Sequence, residues 1–370
     1  MPKIRDLIEA INTKYPLARA ESWDKVGLQI GDVAAPATHV LVAHEVTPAT
    51  LAAAAGHEAL VVYHPLLFRP LENLDFSNHT ARLAGRCLAA GLHVIAVHTA
   101  LDNAPQPYAL GDSLAQSLGL HNIEVLQASG REALFKLVVF TPPEALHEVS
   151  LTLWDAGAGR IGFYDQCSFR TRGAGTFRPL PGADPYTGEV GQREEADEWR
   201  LEVLVPAARR DAMIAAMIAA HPYEEVAYDL YPLHNTSDAY GAARVGQVAE
   251  NPVALDDFAR IVQQELGAPS VRVVRAGDAA NGGVNKVACV PGSGASYIEA
   301  AARAGCDCLV TGDIKHHDAL KAQAWGLSLI DATHTATERA AVALIAEALS
   351  LVPDVTVVRC PIDTNPFAAL

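Results

Sequence analysis

Five residues whose side chains bind metals well are spread along this chain, each just after a short apolar run. They are His64, His98, Asp102, His334 and Glu338. Short β-branched runs flanked by helical patterns predict buried parallel strands. In open α/β sheets, ligands bind in the crevice outside the carboxyl ends of the strands. The placement therefore predicts that these side chains share one site.

The spacing within this set agrees with a metal site. His334 and Glu338 are four residues apart, as are His98 and Asp102, which places each pair on one side of a helical turn. A carboxylate can bridge two cations. Mixed imidazole and carboxylate ligation suits zinc, iron or manganese rather than calcium.

Composition excludes several classes of function. The chain has 370 residues, of which 50% are hydrophobic and 19% charged, and its net charge is −15. This charge argues against bulk binding to nucleic acid or to an anionic membrane. The sequence shows no signal-peptide pattern and no apolar run long enough to span a bilayer. Six sparse cysteines favour reduced thiols, so we expect a cytoplasmic protein.

The order of the predicted elements divides the chain into three segments. The outer thirds alternate strand and helix, which predicts α/β architecture with mainly parallel sheets. The middle third reads β-α-β-β-α-β, the ferredoxin-like unit. We therefore expect a core formed by residues 1–130 and 236–370, with an inserted α+β domain at 131–235.

Six short segments occur in a fixed order across both outer thirds. They are Ser22–Gln29, Tyr63–Phe68, His98–Asn103, Thr311–Asp318, Asp331–Glu338 and Thr364–Phe367. Together they resemble the NIF-three-like family of dinuclear-metal, ring-forming proteins, whose members are often described as homologues of GTP cyclohydrolase I type two. The middle segment, marked by His221–Asp229, resembles the PII/CutA-like insertion of longer members.

This resemblance implies two related α/β lobes around a metal centre with one or two divalent ions per subunit. It also implies a homohexamer built from trimers that stack into a ring, with room inside for a small-molecule substrate. The family's ligand pattern has two adjacent histidines, a His-x-x-x-Asp pair and a His-x-x-x-Glu pair. His64 matches the second of the adjacent histidines, and the two spaced pairs match the residues named above.

The chain departs from the pattern at Tyr63, which occupies the position of the first adjacent histidine. A phenol with an ordinary pKa near 10 is a poor ligand for a divalent ion. His44 stands where the family usually has an apolar residue, so one hypothesis is that it partly replaces the missing ligand. The alternative, which we favour from sequence, is one strong metal position and one weak or empty one.

The function that these residues predict is a metal-dependent hydrolase. A divalent metal lowers the pKa of bound water, and Glu45 or a histidine would carry the proton. Glu45 could equally be a carboxylate placed at a helix start. The resemblance implies a purine nucleotide as substrate, with ring opening and release of formate. Two alternatives stay open: two-metal phosphoester hydrolysis, and a non-catalytic metal-binding or regulatory scaffold with the insertion as a sensor.

Three further positions have simpler interpretations. Trp23 is expected to be a packing anchor, and Asp313 is expected to cap the helix that follows it. The loop Gly292–Gly294 favours a plain tight turn over a phosphate cradle.

Overall fold

The computed structural model describes residues 1–162, 164–248, 252–276 and 283–367. The chain divides into two compact units. The first combines Met1–Ser129 with Tyr240–Leu370, and the second is Gly130–Ala239. Each unit has its own sheets and core.

Strands and short helices alternate through most of the described residues. The strands are β1 (Gly27–Ile30), β2 (His39–Ala43), β3 (Ala59–Val62), β4 (His93–Ala96), β5 (Leu120–Val125), β6 (Gly130–Thr141), β7 (Ser168–Phe177), β8 (Glu194–Pro206), β9 (Tyr228–Tyr240), β10 (Arg244–Val248), β11 (Arg272–Val274), β12 (Lys286–Ser293), β13 (Cys308–Gly312), β14 (Ser328–Asp331) and β15 (Thr356–Arg359). The α-helices of the described residues are α1 (Ile4–Lys14), α2 (Pro48–Ala53), α3 (His79–Ala89), α4 (Thr99–Asp102), α5 (Leu110–Ser117), α6 (Leu146–Asp155), α7 (Arg210–Ala220), α8 (Leu255–Glu265), α9 (Ile298–Arg303), α10 (His316–Ala324), α11 (His334–Thr337) and α12 (Ala341–Leu349).

The first unit contains a five-stranded sheet in the order β1-β4-β3-β2-β15. Strands β4, β3, β2 and β15 are parallel, and β1 pairs antiparallel at the edge opposite β15. Helices α1 and α12 cover one face through residues such as Leu7 and Ile345. Helix α3 covers the other face through Leu83 and Cys87. Covering on both faces explains why these strands are continuous apolar runs.

The second sheet of this unit has six strands in the order β11-β14-β13-β12-β10-β5. Only β12, β13 and β14 run parallel; β11, β10 and β5 pair antiparallel. The expectation of mainly parallel sheets therefore holds for the first sheet, whereas the second is mixed. The added strands are short and partly exposed, so they lack the long apolar runs by which the parallel strands were recognised.

The two chain segments of the first unit exchange elements. Helix α5 and strand β5, from the N-terminal segment, complete the six-stranded sheet, while α12 and β15, from the C-terminal segment, complete the five-stranded one. A buried ion pair fixes this exchange, since the guanidinium of Arg244 on β10 donates through both Nε and a terminal nitrogen to the Asp112 carboxylate on α5. Arg244 has no exposed surface.

The second unit, Gly130–Ala239, has the element order β6-α6-β7-β8-α7-β9 and one sheet in the order β7-β8-β6-β9. Strands β6 and β7 both pair antiparallel with β8. Helices α6 and α7 pack on one face of the sheet, where Val149, Met213 and Met217 meet Leu201 and Val203.

Each helix among the described residues is too short or too polar to cross a lipid bilayer.

Breaking the Arg244–Asp112 pair should destabilise the first unit. Arg244→Ala leaves a buried carboxylate without its partner, which typically costs about 3–5 kcal/mol. The matched control is Arg260→Ala, because Arg260 pairs with Asp257 at the surface with 73% of its side chain exposed, and its loss should change stability by less than about 0.5 kcal/mol. Urea denaturation followed by circular dichroism measures both, and equal effects of the two variants would contradict a structural role for the buried pair.

Candidate metal centre

The carboxyl edge of the five-stranded sheet positions the first group of site residues. His44 follows β2, His64 follows β3 after Tyr63, and His98 follows β4. The parallel register continues past the strand ends, since the amide of His64 donates to the carbonyl of His44 and the amide of His98 donates to the carbonyl of Tyr63, each at 2.9 Å. Residues that are distant in the sequence therefore lie side by side at this edge.

The six-stranded sheet supplies the second group. Helix α11 begins at His334, which two residues separate from the end of β14, and Glu338 follows its last residue. This short helix lies against β12, where the amide of Gly292 donates to the hydroxyl of Thr337 at 2.9 Å. A Cβ atom at Gly292, whose φ is +62°, would collide with the Glu338 carboxylate. The glycine thus permits the close approach, and it belongs to strand β12 rather than to a separate tight turn.

Three of these side chains converge on one point. The Oε2 atom of Glu338 lies 3.3 Å from the Nε2 atom of His44 and 3.3 Å from that of His64. In the described residues, this is the one set of three potential ligands whose atoms all lie within 4.8 Å of one another. The Nε2 atom of His334 lies 3.1 Å from the other Glu338 oxygen, Oε1.

The cluster has buried polar atoms without hydrogen-bond partners. Both ring nitrogens of His44 and the Oε2 atom of Glu338 lack a partner among the described residues, although Glu338 is only 4% exposed. The separations of 3.3 Å are therefore contacts with poor hydrogen-bond alignment. Buried polar atoms normally have partners, and a carboxylate oxygen is costly to leave unpaired. Two imidazole nitrogens and one carboxylate oxygen fit a zinc, iron or manganese ion.

Carboxylates hold the far side of three imidazoles. The Nδ1 atom of His98 lies 2.8 Å from Asp24, and that of His334 lies 2.7 Å from Asp313. Glu45 lies 3.3 Å from the Nδ1 atom of His64. Such contacts fix the ring orientation of metal-binding histidines, and the Nε2 atoms of His64 and His334 face Glu338.

Two of these orienting residues were not identified from sequence. Asp313 was expected to cap the next helix, but the N-cap of α10 is Lys315, and Asp313 turns to His334 instead. Asp24 is fully buried and also accepts hydrogen bonds from the amide and hydroxyl of Thr99. Its position beside Trp23 in a motif-bearing segment was the available signal, but nothing in the sequence paired it with His98.

The backbone is strained around the centre. His98, Asp313 and Thr333 have φ values of 35°, 57° and 70°, in the left-handed region that non-glycine residues rarely adopt. Strain of this kind persists where surrounding contacts over-determine the conformation, and it is concentrated at functional sites. In each case the unusual backbone lies at or next to a histidine of the cluster or its carboxylate partner.

The electrostatics of the cluster favour positive charge. Burial alone would lower the pKa of His64, but the facing Glu338 and Glu45 carboxylates raise it to about 10. Burial opposes ionisation of Glu338, yet the three imidazoles around it hold the pKa of this carboxyl well below its usual range. The neighbouring imidazoles of His44 and His64 lower the pKa of Glu45 to about 2. These carboxylates provide the environment that a divalent cation requires.

Tyr63 and Asp102 form a separate buried pair next to the cluster. The phenol of Tyr63 donates to the Oδ1 atom of Asp102 at 2.8 Å. Burial raises the pKa of Asp102 to about 7. Burial and the neighbouring carboxylates raise the pKa of Tyr63 well above its usual value, so the phenol keeps its proton. Asp102 therefore lies at the site but faces a hydrogen-bond donor.

Trp23 lies at the surface beside the centre. Its side chain is 54% exposed, so the expectation of a packing anchor is wrong. The indole ring meets the ring of Phe68 edge-on at 5.9 Å and that of His98 at 6.0 Å. Phe68 is itself 45% exposed. The accessible ring of Trp23 thus lies between the accessible ring of Phe68 and one of the site histidines.

Comparison with known proteins gives consistent matches over the whole length. A family model described as Duf34/NIF3 (NGG1p interacting factor 3) matches residues 2–366. A Bacillus subtilis (strain 168) protein named GTP cyclohydrolase 1 type 2 homolog is 38% identical over 372 residues, covering 99% of this chain and 98% of that protein. A solved Bacillus cereus protein related to NIF3 is 35% identical with a TM-score of 0.81, covering 100% of this chain and 99% of that one. The structure of Staphylococcus aureus protein SA1388 is 28% identical with a TM-score of 0.69, at the same coverage.

Removing the Asp313 carboxylate should weaken metal binding without unfolding the protein. In Asp313→Gly the backbone keeps its positive φ, but the His334 ring loses the group that orients it, so we expect affinity for Zn²⁺ to fall about 10- to 100-fold. Asp354→Gly is the matched control, because Asp354 also has a positive φ, of 60°. It precedes β15 and so lies at the amino ends of the strands of the five-stranded sheet, whereas the cluster lies at their carboxyl ends. Competition with a chromophoric chelator measures both affinities, and an unchanged affinity in Asp313→Gly would rule out the orienting role.

Proposed function

Because this chain belongs to the Duf34/NIF3 family, we propose that it binds a divalent transition metal at the cluster of His44, His64 and Glu338 and hydrolyses a small purine nucleotide or a related compound. The name of the Bacillus subtilis relative, a GTP cyclohydrolase homolog, supports this substrate class and ring-opening hydrolysis. Zinc, iron and manganese all suit the donor set.

The observation that carries the proposal is the buried, unpartnered set of atoms on His44 and Glu338. A core that served stability alone would pair such atoms or replace them by apolar groups. Here two sheets bring them together from distant parts of the chain, with His64 at the same 3.3 Å separation from Glu338. A cation bound between them would satisfy the Nε2 atom of His44 and the Oε2 atom of Glu338 at once.

His98 is the side chain best placed to hold or move a proton. A bound divalent metal would act as a Lewis acid and lower the pKa of water toward about 7. Asp24 accepts the Nδ1 proton of His98, which leaves Nε2 to accept or release a proton. The ring centroid of His98 is 5.2 Å from that of His64. Glu45, the base candidate from sequence, is already engaged by His44 and His64, which favours an orienting role.

Trp23 and Phe68 provide a surface on which a planar ring could stack. Their sequence neighbours Asp24 and Leu67 line an open cleft of about 510 Å³. Glu21, Lys25 and Gln29 also line it. A purine base offers an aromatic face to Trp23 and polar edges to these side chains. We propose that the base binds here, with the reacting atoms directed to His98 and the metal cluster.

The proposal also covers the inserted domain, the oligomeric state and the cellular compartment. We propose that Gly130–Ala239 is an inserted domain of the ferredoxin-like, PII/CutA-like type, because its β-α-β-β-α-β order and its sheet order match that arrangement. The family resemblance also supports a homohexamer formed by stacked trimers. The sparse cysteines support a reducing compartment such as the cytoplasm.

Metal content and formate release test the function. We expect protein purified without added metal to contain zinc, iron or manganese by elemental analysis, and the loaded protein to release formate from GTP. Glu338→Gln removes the central charge while keeping the side-chain shape, so metal content should fall to a small fraction of wild type. Glu347→Gln is the control, because Glu347 is exposed and its carboxylate pairs with Lys14, away from the cluster.

Three outcomes separate the alternatives. Bound metal without turnover of any nucleotide would support the metal-binding scaffold instead. Release of inorganic phosphate from phosphate esters, without formate, would support phosphoester hydrolysis. Wild-type metal content in Glu338→Gln would contradict the proposed centre.

Loss of the exposed indole should weaken substrate binding more than chemistry. Base–aromatic stacking contributes about 1–3 kcal/mol, so Trp23→Leu should raise KM for GTP about tenfold or more with little change in kcat. Trp325→Leu is the matched control, since Trp325 is 41% exposed and stacks on Arg303. Steady-state formate release gives both parameters, and a fall in kcat at constant KM would argue against a stacking surface.

A further inference from the structure

The geometry points to a centre that holds a single metal ion, with His44 as one of its ligands and with Asp102 kept from binding a second ion by the hydroxyl of Tyr63. This inference rests on the proposed metal centre and concerns how many ions it holds. It assigns a specific role to the two residues by which this chain departs from the family's ligand pattern.

The first argument is the position of His44. Its ring nitrogens are buried, and neither has a hydrogen-bond partner among the described residues. Its Nε2 atom is as close to the Glu338 carboxylate as that of His64, at 3.3 Å. A histidine that merely filled space in a core would be expected to hydrogen-bond through at least one nitrogen. His44 is therefore placed as a full ligand at the same point as His64.

The second argument is the space that Tyr63 fills. Its ring centroid lies 5.3 Å from that of His44, 4.9 Å from that of His64 and 5.4 Å from that of His98. Tyr63 is only 1% exposed, and three imidazoles lie against its ring. The region between these rings and Asp102, where a second ion would have to bind, is occupied by the aromatic side chain.

The third argument concerns Asp102 and the supply of negative charge. The Tyr63 hydroxyl directs its proton at the Oδ1 atom of Asp102, so a donor stands where a cation would need an acceptor. Two divalent ions in a shared site lie about 3.5–4 Å apart and repel each other, so they need bridging anionic ligands. Asp24 is committed to His98 and Thr99, Asp313 to His334 and Glu45 to His64. Glu338 then remains as the carboxylate that can bind an ion, and one such carboxylate supports one ion.

A single ion also agrees with the role proposed for His98. If Asp102 binds no metal, its neighbour His98 on the same turn is not required as a ligand of a second ion. The pair of His98 and Asp24 then remains available to hold or move a proton beside the one metal. Tyr63 and His44 thus reduce the number of bound ions from two to one. The remaining metal ion and the pair of His98 and Asp24 are still available for hydrolysis.

Stoichiometry of the wild-type chain is the primary test. Full-length protein is stripped with a chelator, titrated with Mn²⁺, and measured by elemental analysis after gel filtration and by electron paramagnetic resonance. We expect retention of about one ion per chain and the six-line spectrum of an isolated ion, with no exchange coupling at higher Mn²⁺. Two tightly held ions, or an exchange-coupled pair, would overturn the inference. No retained ion at all would instead overturn the proposed metal centre.

Variants test the two residues separately. His44→Ala should lose most of the retained ion, whereas His39→Ala, at the exposed start of the same strand, should keep it. Tyr63→His replaces the phenol by a ligand and frees Asp102, so it should raise retention to about two ions per chain. Full retention in His44→Ala, or one ion in a folded Tyr63→His, would contradict the roles assigned here. Should Tyr63→His fail to fold, the wild-type titration and His44→Ala still decide the count.

Discussion

The arrangement of this protein depends on one buried carboxylate. Glu338 reaches from the edge of the six-stranded sheet to imidazoles carried by the five-stranded sheet, and it stays ionised there because they surround it. Without compensation, a charge buried to this extent would be strongly destabilising. The two sheets are therefore held in one relative position by an electrostatic requirement as well as by apolar packing, and the histidines are held by the same requirement.

Several separate features of the structure support the contact between Glu338 and the imidazoles. Gly292 leaves room for the carboxylate, because any side chain there would displace it. Glu45 and Asp313 occupy the outer nitrogens of His64 and His334, whose inner nitrogens face Glu338. Asp24 holds the ring of His98 in the same way through its Nδ1 atom. The exchange of helices and strands between the two chain segments keeps both sheets together. Rigid support of this kind is what a precise binding site requires.

Part of this could be predicted from the sequence, and the reasons for the rest are physical. The parallel strands were recognisable because burial on both faces makes them continuous apolar runs, and His64, which follows one of them, was placed correctly at the sheet edge. The antiparallel strands at the sheet edges were not recognised, since they are short and half exposed. Long-range pairs such as Asp24 with His98 depend on three-dimensional placement, and local sequence does not encode them. The contact of His44 with Glu338 could not be predicted either, because the two residues belong to different sheets and their distance depends on how those sheets pack.

The second unit leaves and rejoins the first at neighbouring backbone positions. The amide of Ser129, just before it, donates to the carbonyl of Tyr240, just after it, at 2.8 Å. A short turn could therefore join these two residues directly, and neither sheet of the first unit would lose a strand. Evolution could gain, discard or exchange such a unit without rebuilding the two sheets, so Gly130–Ala239 and the cluster around Glu338 could diversify at different rates.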